Sequence, residues 1–286
     1  MDREFRRSKL FSSLGKVLKW IFLIAMCTFT LYPVIYTVLG SFKTNAELTL
    51  GGNIFPEKWQ FENYIYAFQK LDFGLYTWNS VILAVLTVIF SVVTASMAGY
   101  VIGRREFPGK QVLSGVYLCS MFVSVGSVAL YPLYKLLNSV GLTKNMTGLA
   151  LLLTGGQVAN VFMISGFVRS VPMELDDAAT IDGAGVFRIY WQIILPMVKP
   201  IIGVVALFSF RTAWNEFITA QVFTMSNPQL KTLSVAVANL RYSSNAAAEW
   251  HIMTAGAAIA LIPILIVYLF ANKQFVAGIT AGAVKG

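Results

Sequence analysis

The segment SVPMELDDAATIDGAGVFRIYWQIILPMVKP, residues 170–200, is a charged interval between two long apolar stretches, and we refer to it as the central segment. Ser170 can cap a helix whose first turns carry carboxylates at the positive end of the helix dipole. Gly183 ends that helix, because glycine takes the left-handed closing conformation at little steric cost. A second short helix is predicted over residues 186–195, and two prolines then turn the chain back towards the next apolar stretch. This pattern indicates two short helices outside the apolar stretches.

The first of these helices has a face suited to a partner. Leu175, Ala178 and Ala179 share that face at helical spacing, and the alanines hold little side chain between the backbone and a docking surface. We expect such a helix pair to have few contacts within its own chain, so that a docking cleft supplies the burial that orders it.

The central segment resembles the EAA motif of bacterial ABC importer permeases, which reads Glu-Ala-Ala, three residues, Gly, nine residues, Ile-x-Leu-Pro. The spacing fits throughout, with Asp177 in place of the usual Glu. The string ELDDAATIDGAG is similar to the carbohydrate-uptake branch, the permeases similar to the maltose transporter's second membrane subunit. The last nine residues, GITAGAVKG, resemble that subunit's C-terminal tail. The positions that match the motif are Asp177, Ala178, Ala179, Gly183, Ile193, Leu195 and Pro196.

The resemblance implies a membrane permease that moves a saccharide delivered by an extracellular binding protein. It also implies a heterodimer with a second permease and two partner ATPase subunits, which carry ATP and Mg, while this chain binds no cofactor. The C-terminal tail, too poor in apolar side chains to order itself, is expected to meet the ATPases. The residues expected to couple the chain to ATP hydrolysis are Glu174, Asp177, Ala178, Ala179, Asp182, Gly183, Leu195 and Pro196.

The composition independently indicates a membrane protein. Of the 286 residues, 57% are hydrophobic and only 12% are charged, whereas soluble proteins carry about 25% charged residues. The two cysteines, Cys27 and Cys119, both lie in apolar runs, so neither a disulfide nor a metal site is expected. The net charge of +9 comes from basic residues scattered around apolar stretches, which does not favour nucleic-acid binding.

We predict an all-α, polytopic integral membrane protein with six transmembrane helices, because stretches of roughly 20 apolar residues, enough to cross a bilayer, occur six times. The boundaries divide the chain into an N-terminus (1–19), a permease domain (20–275) that includes the central segment, and a C-terminal tail (276–286). The predicted spans are 20–40, 76–102, 112–133, 146–168, 197–223 and 252–270.

The distribution of Lys and Arg predicts the orientation. Fourteen lie on the side that holds both termini and the central segment, seven lie on the other side, and Arg211 lies within a span. Since the cytoplasmic side carries the excess of basic residues, both termini and the central segment are expected in the cytoplasm. The resemblance places the protein in the bacterial cytoplasmic (inner) membrane.

The second span carries a small-residue stripe, Ser91, Ala95, Gly99 and Gly103, in which the residues stand four apart. Such a stripe lets another helix approach closely. It indicates that this helix packs on protein rather than on lipid.

Polar side chains occur in the fourth span, at Gln157 and Asn160, and in the fifth, at Arg211, Asn215 and Glu216. A charge near the membrane centre costs at least ~2.5 kcal/mol, so it should face a cavity or a partner. Two interpretations remain open for these residues. They line a pathway for a polyhydroxyl solute, or they form a structural network between helices.

Sequence motifs also limit the function. The chain has no phosphate-binding loop, no H-E-x-x-H and no G-x-S-x-G, so ATP hydrolysis is expected on other subunits and the chain is predicted not to be an enzyme. An ion-gradient-driven carrier or channel for a polar solute is the alternative, although we find no internal repeat of the kind such carriers often show. An intramembrane enzyme is disfavoured, because Glu216, Asp182 and His251 are widely separated.

Overall fold

The computed structural model describes residues 2–51, 53–123, 126–240 and 249–283, and within these ranges the chain is helical, with no strand. One π-helical turn, Tyr190–Ile194, follows α10. The helices are α1 (Asp2–Gly40), α2 (Asn45–Leu50), α3 (Glu62–Lys70), α4 (Phe73–Arg104), α5 (Lys110–Phe122), α6 (Leu130–Ser139), α7 (Met146–Gly155), α8 (Val158–Val168), α9 (Glu174–Ile181), α10 (Val186–Ile189), α11 (Leu195–Met197), α12 (Lys199–Trp214), α13 (Ile218–Thr224), α14 (Leu233–Asn239) and α15 (Trp250–Ala283).

The predicted all-α, polytopic membrane class is confirmed. Three helical stretches, Gly15–Gly40, Phe73–Arg104 and Trp250–Phe270, are long and apolar enough to cross a membrane by themselves. Three bent helix pairs raise the number of candidate spans to as many as six. The first, second and sixth predicted spans therefore correspond to single straight helices.

Three of the predicted spans are not single continuous helices. The fourth bends by 58° between α7 and α8, at the Gly155-Gly156 pair, where two residues without side chains weaken the helix. The fifth ends early, because α12 stops at Trp214 and α13 begins at Ile218. The third spans α5 and α6 on either side of residues 124–125, which are outside the described ranges.

The predicted boundary at residue 276 does not coincide with a break in the helix, since α15 continues to Ala283. The first eight residues of the predicted tail, 276–283, are therefore helical. Its last three, residues 284–286, lie outside the described ranges.

Contacts divide the chain into two units, residues 1–71 with 240–259 and residues 72–239 with 260–286. In the first, Phe42 contacts the rings of Trp59, Phe61 and Tyr64 at centroid distances of 5.0 to 5.2 Å. Thr44 and Glu47 form a capping box at the start of α2. Hydrogen bonds from the backbone N–H groups of Thr44 and Glu57 lower the pKa of the Glu47 carboxyl.

In the second unit, α4 packs against α8, α12 and α7. The contact with α8 depends on the small-residue stripe: a β-carbon on Gly99 would lie 3.0 Å from the carbonyl oxygen of Val161, and one on Gly103 would lie 2.9 Å from that of Ser165. The predicted packing of this helix on protein is confirmed. A different face of α4 is exposed and apolar, with Val85, Ile89, Val93, Met97 and Val101 spaced four apart.

Replacing Gly99 with alanine should destabilise the α4–α8 contact, because the added methyl group meets backbone that cannot rotate away. We expect a loss of about 1–3 kcal/mol, the usual cost of overpacking a core. The measurement is thermal unfolding of the purified protein in detergent.

Gly115→Ala is the matched control, because a β-carbon there meets no atom within 4 Å. It should leave stability unchanged or raise it slightly through helix propensity. Equal stability of the Gly99→Ala and Gly115→Ala proteins would contradict the close approach of α4 and α8.

Candidate functional site

The first helix of the central segment, α9, ends as predicted but begins differently. Gly183 has a positive φ of 78°, and the amides of Gly183 and Ala184 donate to the carbonyls of Thr180 and Ala179. This pair of hydrogen bonds is the Schellman arrangement that closes a helix. The prediction that Ser170 caps the helix is wrong, because its hydroxyl donates backwards to the carbonyl of Phe167 and α9 begins only at Glu174.

The second helix is also built differently from the prediction. Residues 186–197 form a helical stretch that contains the π-helical turn Tyr190–Ile194, and it meets α12 at an angle of 81°. The bend follows Pro196 and precedes Pro200, as predicted. Leu195 is half-buried and Pro196 is exposed.

The central segment is packed on its own chain, which contradicts the expectation that only a partner could bury it. Ala179, Ile189, Tyr190 and Ile194 are buried in one apolar cluster with side chains of α4, α8 and α12. Ala179 therefore faces inwards, and of the two alanines only Ala178 is exposed. Several apolar side chains of the central segment are thus buried by this chain itself, without another protein.

The central segment also carries large apolar side chains that the described chain leaves exposed. Ile181 is 87% exposed and Phe187 is 67% exposed, and Trp191 stacks on Phe187 at a ring distance of 6.4 Å. Leu175 is exposed as well. We call Leu175, Ile181, Phe187 and Trp191 the apolar face. Three carboxylates expected to act in coupling, those of Glu174, Asp177 and Asp182, are also exposed.

A buried ion pair holds α9 against the end of α4. Arg104 Nε lies 3.3 Å from Asp176 Oδ2, and the two side chains are only 5% and 3% exposed. The same guanidinium donates to the carbonyls of Val171 and Pro172, each at 2.7 Å. Asp176 was not among the residues expected to function, because sequence alone does not show which of two adjacent aspartates faces the chain.

A second polar contact joins the π-helical turn to α4. The hydroxyl of Tyr190 lies 2.8 Å from that of Ser96, in a buried position. The rings of Tyr190 and Tyr100 are 5.4 Å apart, and Arg105 donates to the Tyr100 hydroxyl at 2.6 Å. Nothing in the sequence pattern pointed to these residues, since a π-helical turn has no simple sequence signal.

The predicted pathway residues of the fourth span belong to a polar network with Ser209 of α12. Asn160 Nδ2 donates to Gln157 Oε1 at 2.6 Å and lies 3.2 Å from Ser209 Oγ, which donates to the same Gln157 oxygen at 2.7 Å. Asn160 and Ser209 are buried. This geometry has the features of a structural network between helices.

Gln157 and Asn160 also line a cavity of about 320 Å³. Its other polar wall includes Ser91, Thr94 and Tyr117. The Ser91 hydroxyl is buried and has no hydrogen-bond partner among the described residues. The cavity falls at the lower end of the roughly 300–1,000 Å³ range of ligand pockets. The two interpretations of Gln157 and Asn160 are therefore compatible, with one side bonded to α12 and the other facing the cavity.

The polar residues of the fifth span surround the break after α12. Arg211 and Asn215 are exposed, and Asn215 Nδ2 donates to the carbonyl of Arg211 at 3.0 Å. Glu216 accepts a hydrogen bond from the amide of Thr219 at 2.8 Å, which caps the start of α13. The structure thus brings Asn215 and Glu216 to a helix break, whereas the Gln157 network lies elsewhere on α12 at Ser209. Within the described ranges, no group of three His, Cys, Asp or Glu residues could hold a metal ion.

Comparison with known proteins shows the family. The chain is 32% identical over 260 residues to the trehalose transport system permease protein SugB of Mycobacterium tuberculosis, covering 90% of this chain and 93% of the relative. It is 31% identical over 284 residues to the maltodextrin transport system permease protein MalD of Streptococcus pneumoniae, covering 97% and 98%.

A solved structure has the same fold. It is a bacterial ABC transporter involved in the import of the acidic polysaccharide alginate, with a TM-score of 0.78 and 21% identity, and the match covers 92% of this chain and 96% of that chain. The family model for the binding-protein-dependent transport system inner membrane component matches residues 95–280, which include the central segment, α4 from Ala95 and the polar network. The chain therefore belongs to the family of inner membrane components of binding-protein-dependent transport systems, as the resemblance to ABC importer permeases predicted.

Proposed function

We propose that this chain is the permease subunit of an ABC importer that takes up a saccharide delivered by an extracellular binding protein. The relatives named above are permeases for trehalose and for maltodextrins. A further relative from Streptomyces coelicolor is a permease of a diacetylchitobiose uptake system, 29% identical over 264 residues. Oligosaccharides are the chemistry that these names share, and the polar cavity suits a solute rich in hydroxyl groups.

The apolar face is the observation that carries the assignment of an ATP-driven partner. Leu175 and Ile181 lie outside the candidate membrane spans, and Phe187 and Trp191 lie on the first helix of the bent pair Val186–Met197 and Lys199–Trp214, in a segment that packs on its own chain. Exposed large apolar residues beside carboxylates are typical of a protein-binding surface, with an apolar centre and a polar rim. We assign this surface to ATPase subunits that bind ATP and Mg, while the chain itself binds no cofactor. A second permease subunit completes the heterodimer.

Replacing Gly183 with valine should weaken coupling to the ATPases. A β-branched residue is strained at a φ of 78°, although a β-carbon there meets no atom within 4 Å. The expected cost is roughly 1–2 kcal/mol, relieved by redirecting the second helix and the apolar face. We expect less ATP-dependent uptake of a radiolabelled saccharide per ATPase bound, measured in reconstituted vesicles with ATPase retention checked by pull-down.

Gly185→Val is the matched control, because Gly185 has an extended backbone with φ at −72° and its β-carbon would also meet open space. Valine fits this conformation, so coupled transport should remain normal. Full coupled activity in the Gly183→Val complex would contradict the role of the central segment. Uptake without any ATPase would favour an ion-gradient-driven carrier instead.

Asn215 and Asn160 should respond differently to substitution. We propose that Arg211, Asn215 and Glu216 line the solute pathway near the break after α12, and that Gln157 and Asn160 combine a structural role with contact to the cavity. Asn215→Ala should alter uptake while the complex assembles at normal yield. Asn160→Ala should reduce the yield, because it removes the Asn160 hydrogen bonds to Gln157 Oε1 and to the buried Ser209 hydroxyl, which keep only their bond to each other, at a cost of about 0.5–1.5 kcal/mol per lost bond.

The test uses radiolabelled maltotriose, trehalose and diacetylchitobiose as probes, with complex yield measured by size-exclusion chromatography. A loss of yield in Asn215→Ala, with normal transport per complex, would make the residues around the break structural. Normal yield in Asn160→Ala would instead remove the structural role of the polar network.

We place the protein in the bacterial cytoplasmic membrane with both termini in the cytoplasm. A cysteine at Asn53, which is exposed, should react with an impermeant thiol reagent from outside intact cells. A cysteine at the exposed Ile181 should react only after the cytoplasmic face is opened, with the chain expressed without ATPases and with Cys27 and Cys119 replaced by serine. Labelling of position 181 from outside would reverse the orientation.

A further inference from the structure

Of the four acidic residues in the central segment, only Asp176 is buried against the rest of the chain. Glu174, Asp177 and Asp182 are exposed and available to a partner, whereas Asp176 is buried. The Asp176 side chain meets the guanidinium of Arg104 at the last residue of α4. A carboxylate withdrawn from solvent in this way needs a partner, because an unpaired buried charge is costly.

Arg104 joins three parts of the chain at one point. Its Nη1 donates to the carbonyl of Val171 and its Nη2 to that of Pro172, both in the linker that follows α8. Asp176 Oδ1 lies 3.4 Å from Nη2, and the 3.3 Å contact with Nε lacks hydrogen-bond alignment, so charge attraction dominates there. The end of α4, the linker and the first turn of α9 are thus held by a single planar group with several donors.

The second half of the central segment has an independent attachment to the same helix. The hydroxyl of Tyr190 bonds to that of Ser96, and its ring packs on Tyr100. Ser96, Tyr100 and Arg104 stand four residues apart, so they follow one face of α4 over its last turns. Both helical parts of the central segment are therefore attached to that face, at points about 12 Å apart by helix rise.

The buried ion pair makes this attachment specific in position. Removing one partner of such a pair leaves an uncompensated charge, which is far more damaging than removing an exposed pair. Apolar packing alone lets one helix shift along another between packing arrangements of similar energy. The Arg104 guanidinium, in contrast, contacts the carboxylate and both carbonyls at once in only one arrangement. The pair therefore fixes where α9 sits on α4.

We infer that Arg104, Asp176, Ser96 and Tyr190 are positioning residues that make the central segment and α4 move as one body. Movement imposed on the apolar face then enters the membrane domain through α4, which packs on α7, α8 and α12. This inference rests on the proposed function, in that it requires an ATPase to move the central segment. Beyond the proposed function, α4 is named as the helix that receives the movement, and these four side chains are named as those that transmit it.

The experiment measures distances between spin labels in the full complex with its ATPases, with and without ATP trapped by vanadate. Labels are attached to cysteines at Ile181 of α9 and Val85 of α4, both exposed in this chain, before the ATPases are added, and they report whether the two elements move together. Because Ile181 belongs to the apolar face, distances are measured only in labelled complexes that retain their ATPases and their saccharide uptake. A second pair, at Ile181 and the exposed Leu269 of α15, reports whether the central segment moves at all. Cys27 and Cys119 are replaced by serine so that only the introduced cysteines are labelled.

In the unsubstituted complex we expect ATP to change the Ile181–Leu269 distance and to leave the Ile181–Val85 distance unaltered. In the Asp176→Asn complex the Ile181–Val85 distance should change as well. Saccharide uptake per ATP hydrolysed should fall by about tenfold, with radiolabelled maltotriose as the probe. Asp176→Glu, which keeps the charge, should restore most of that ratio.

Glu106→Gln is the matched control, because it removes the charge of the exposed Glu106 carboxylate, which pairs with Lys110 within one helical turn, two residues beyond Arg104. Surface pairs of this kind contribute little, so both distances and the uptake ratio should be those of the unsubstituted complex. If Asp176→Asn does not assemble, Arg104→Lys serves instead, since it keeps the positive charge but loses the guanidinium that bonds two carbonyls and the carboxylate, and it should also let the Ile181–Val85 distance change.

An Ile181–Val85 distance that changes with ATP in the unsubstituted complex would overturn the inference while leaving the proposed function intact. The same holds if the Asp176→Asn complex, or Arg104→Lys in its place, behaves like the unsubstituted one. No change with ATP at either pair, or no ATPase retained in the pull-down, would count against the proposed function itself and so against both.

Discussion

The close approach of α8 to α4 is the constraint on which the rest of the second unit depends. Backbone carbonyl oxygens of α8 lie only 3.0 and 2.9 Å from where β-carbons on Gly99 and Gly103 would be. This contact brings the end of α8 beside the end of α4, so that the linker carbonyls of Val171 and Pro172 reach the Arg104 guanidinium. The same guanidinium then meets Asp176, so the position of the central segment follows from two glycines in a membrane helix.

The parts of the fold that depend on repeated signals could be predicted from the sequence. Long apolar runs identified the straight helices α1, α4 and α15, and spacing of four identified the stripe on α4. Gly183 was predicted to close α9, because few other residues adopt its backbone conformation. The matched motif identified the family, since its spacing extends over both short helices.

The parts that depend on single contacts could not be predicted. Asp176 and Asp177 are adjacent, and a rotation of about 100° per residue places one in the core and the other in solvent. An apolar run does not show where a helix breaks, so the bend at residues 155–156 and the gap between α12 and α13 were missed. Ser170 had the right chemistry for a cap, but its hydroxyl bonds to the preceding helix instead.

The central segment carries both buried and exposed apolar side chains, and the two sets have different roles. Ala179, Ile189 and Ile194 are buried on the chain itself and hold the segment in place. Its outer surface keeps Ile181 and Phe187 exposed, which costs solvation free energy until a protein covers them. A segment ordered in advance loses little further conformational entropy on docking, so more of the apolar burial appears as binding free energy. The exposed apolar face thus provides the surface on which a partner can exert a force. The buried ion pair keeps the central segment fixed on α4, so that the force is passed on without deforming the segment.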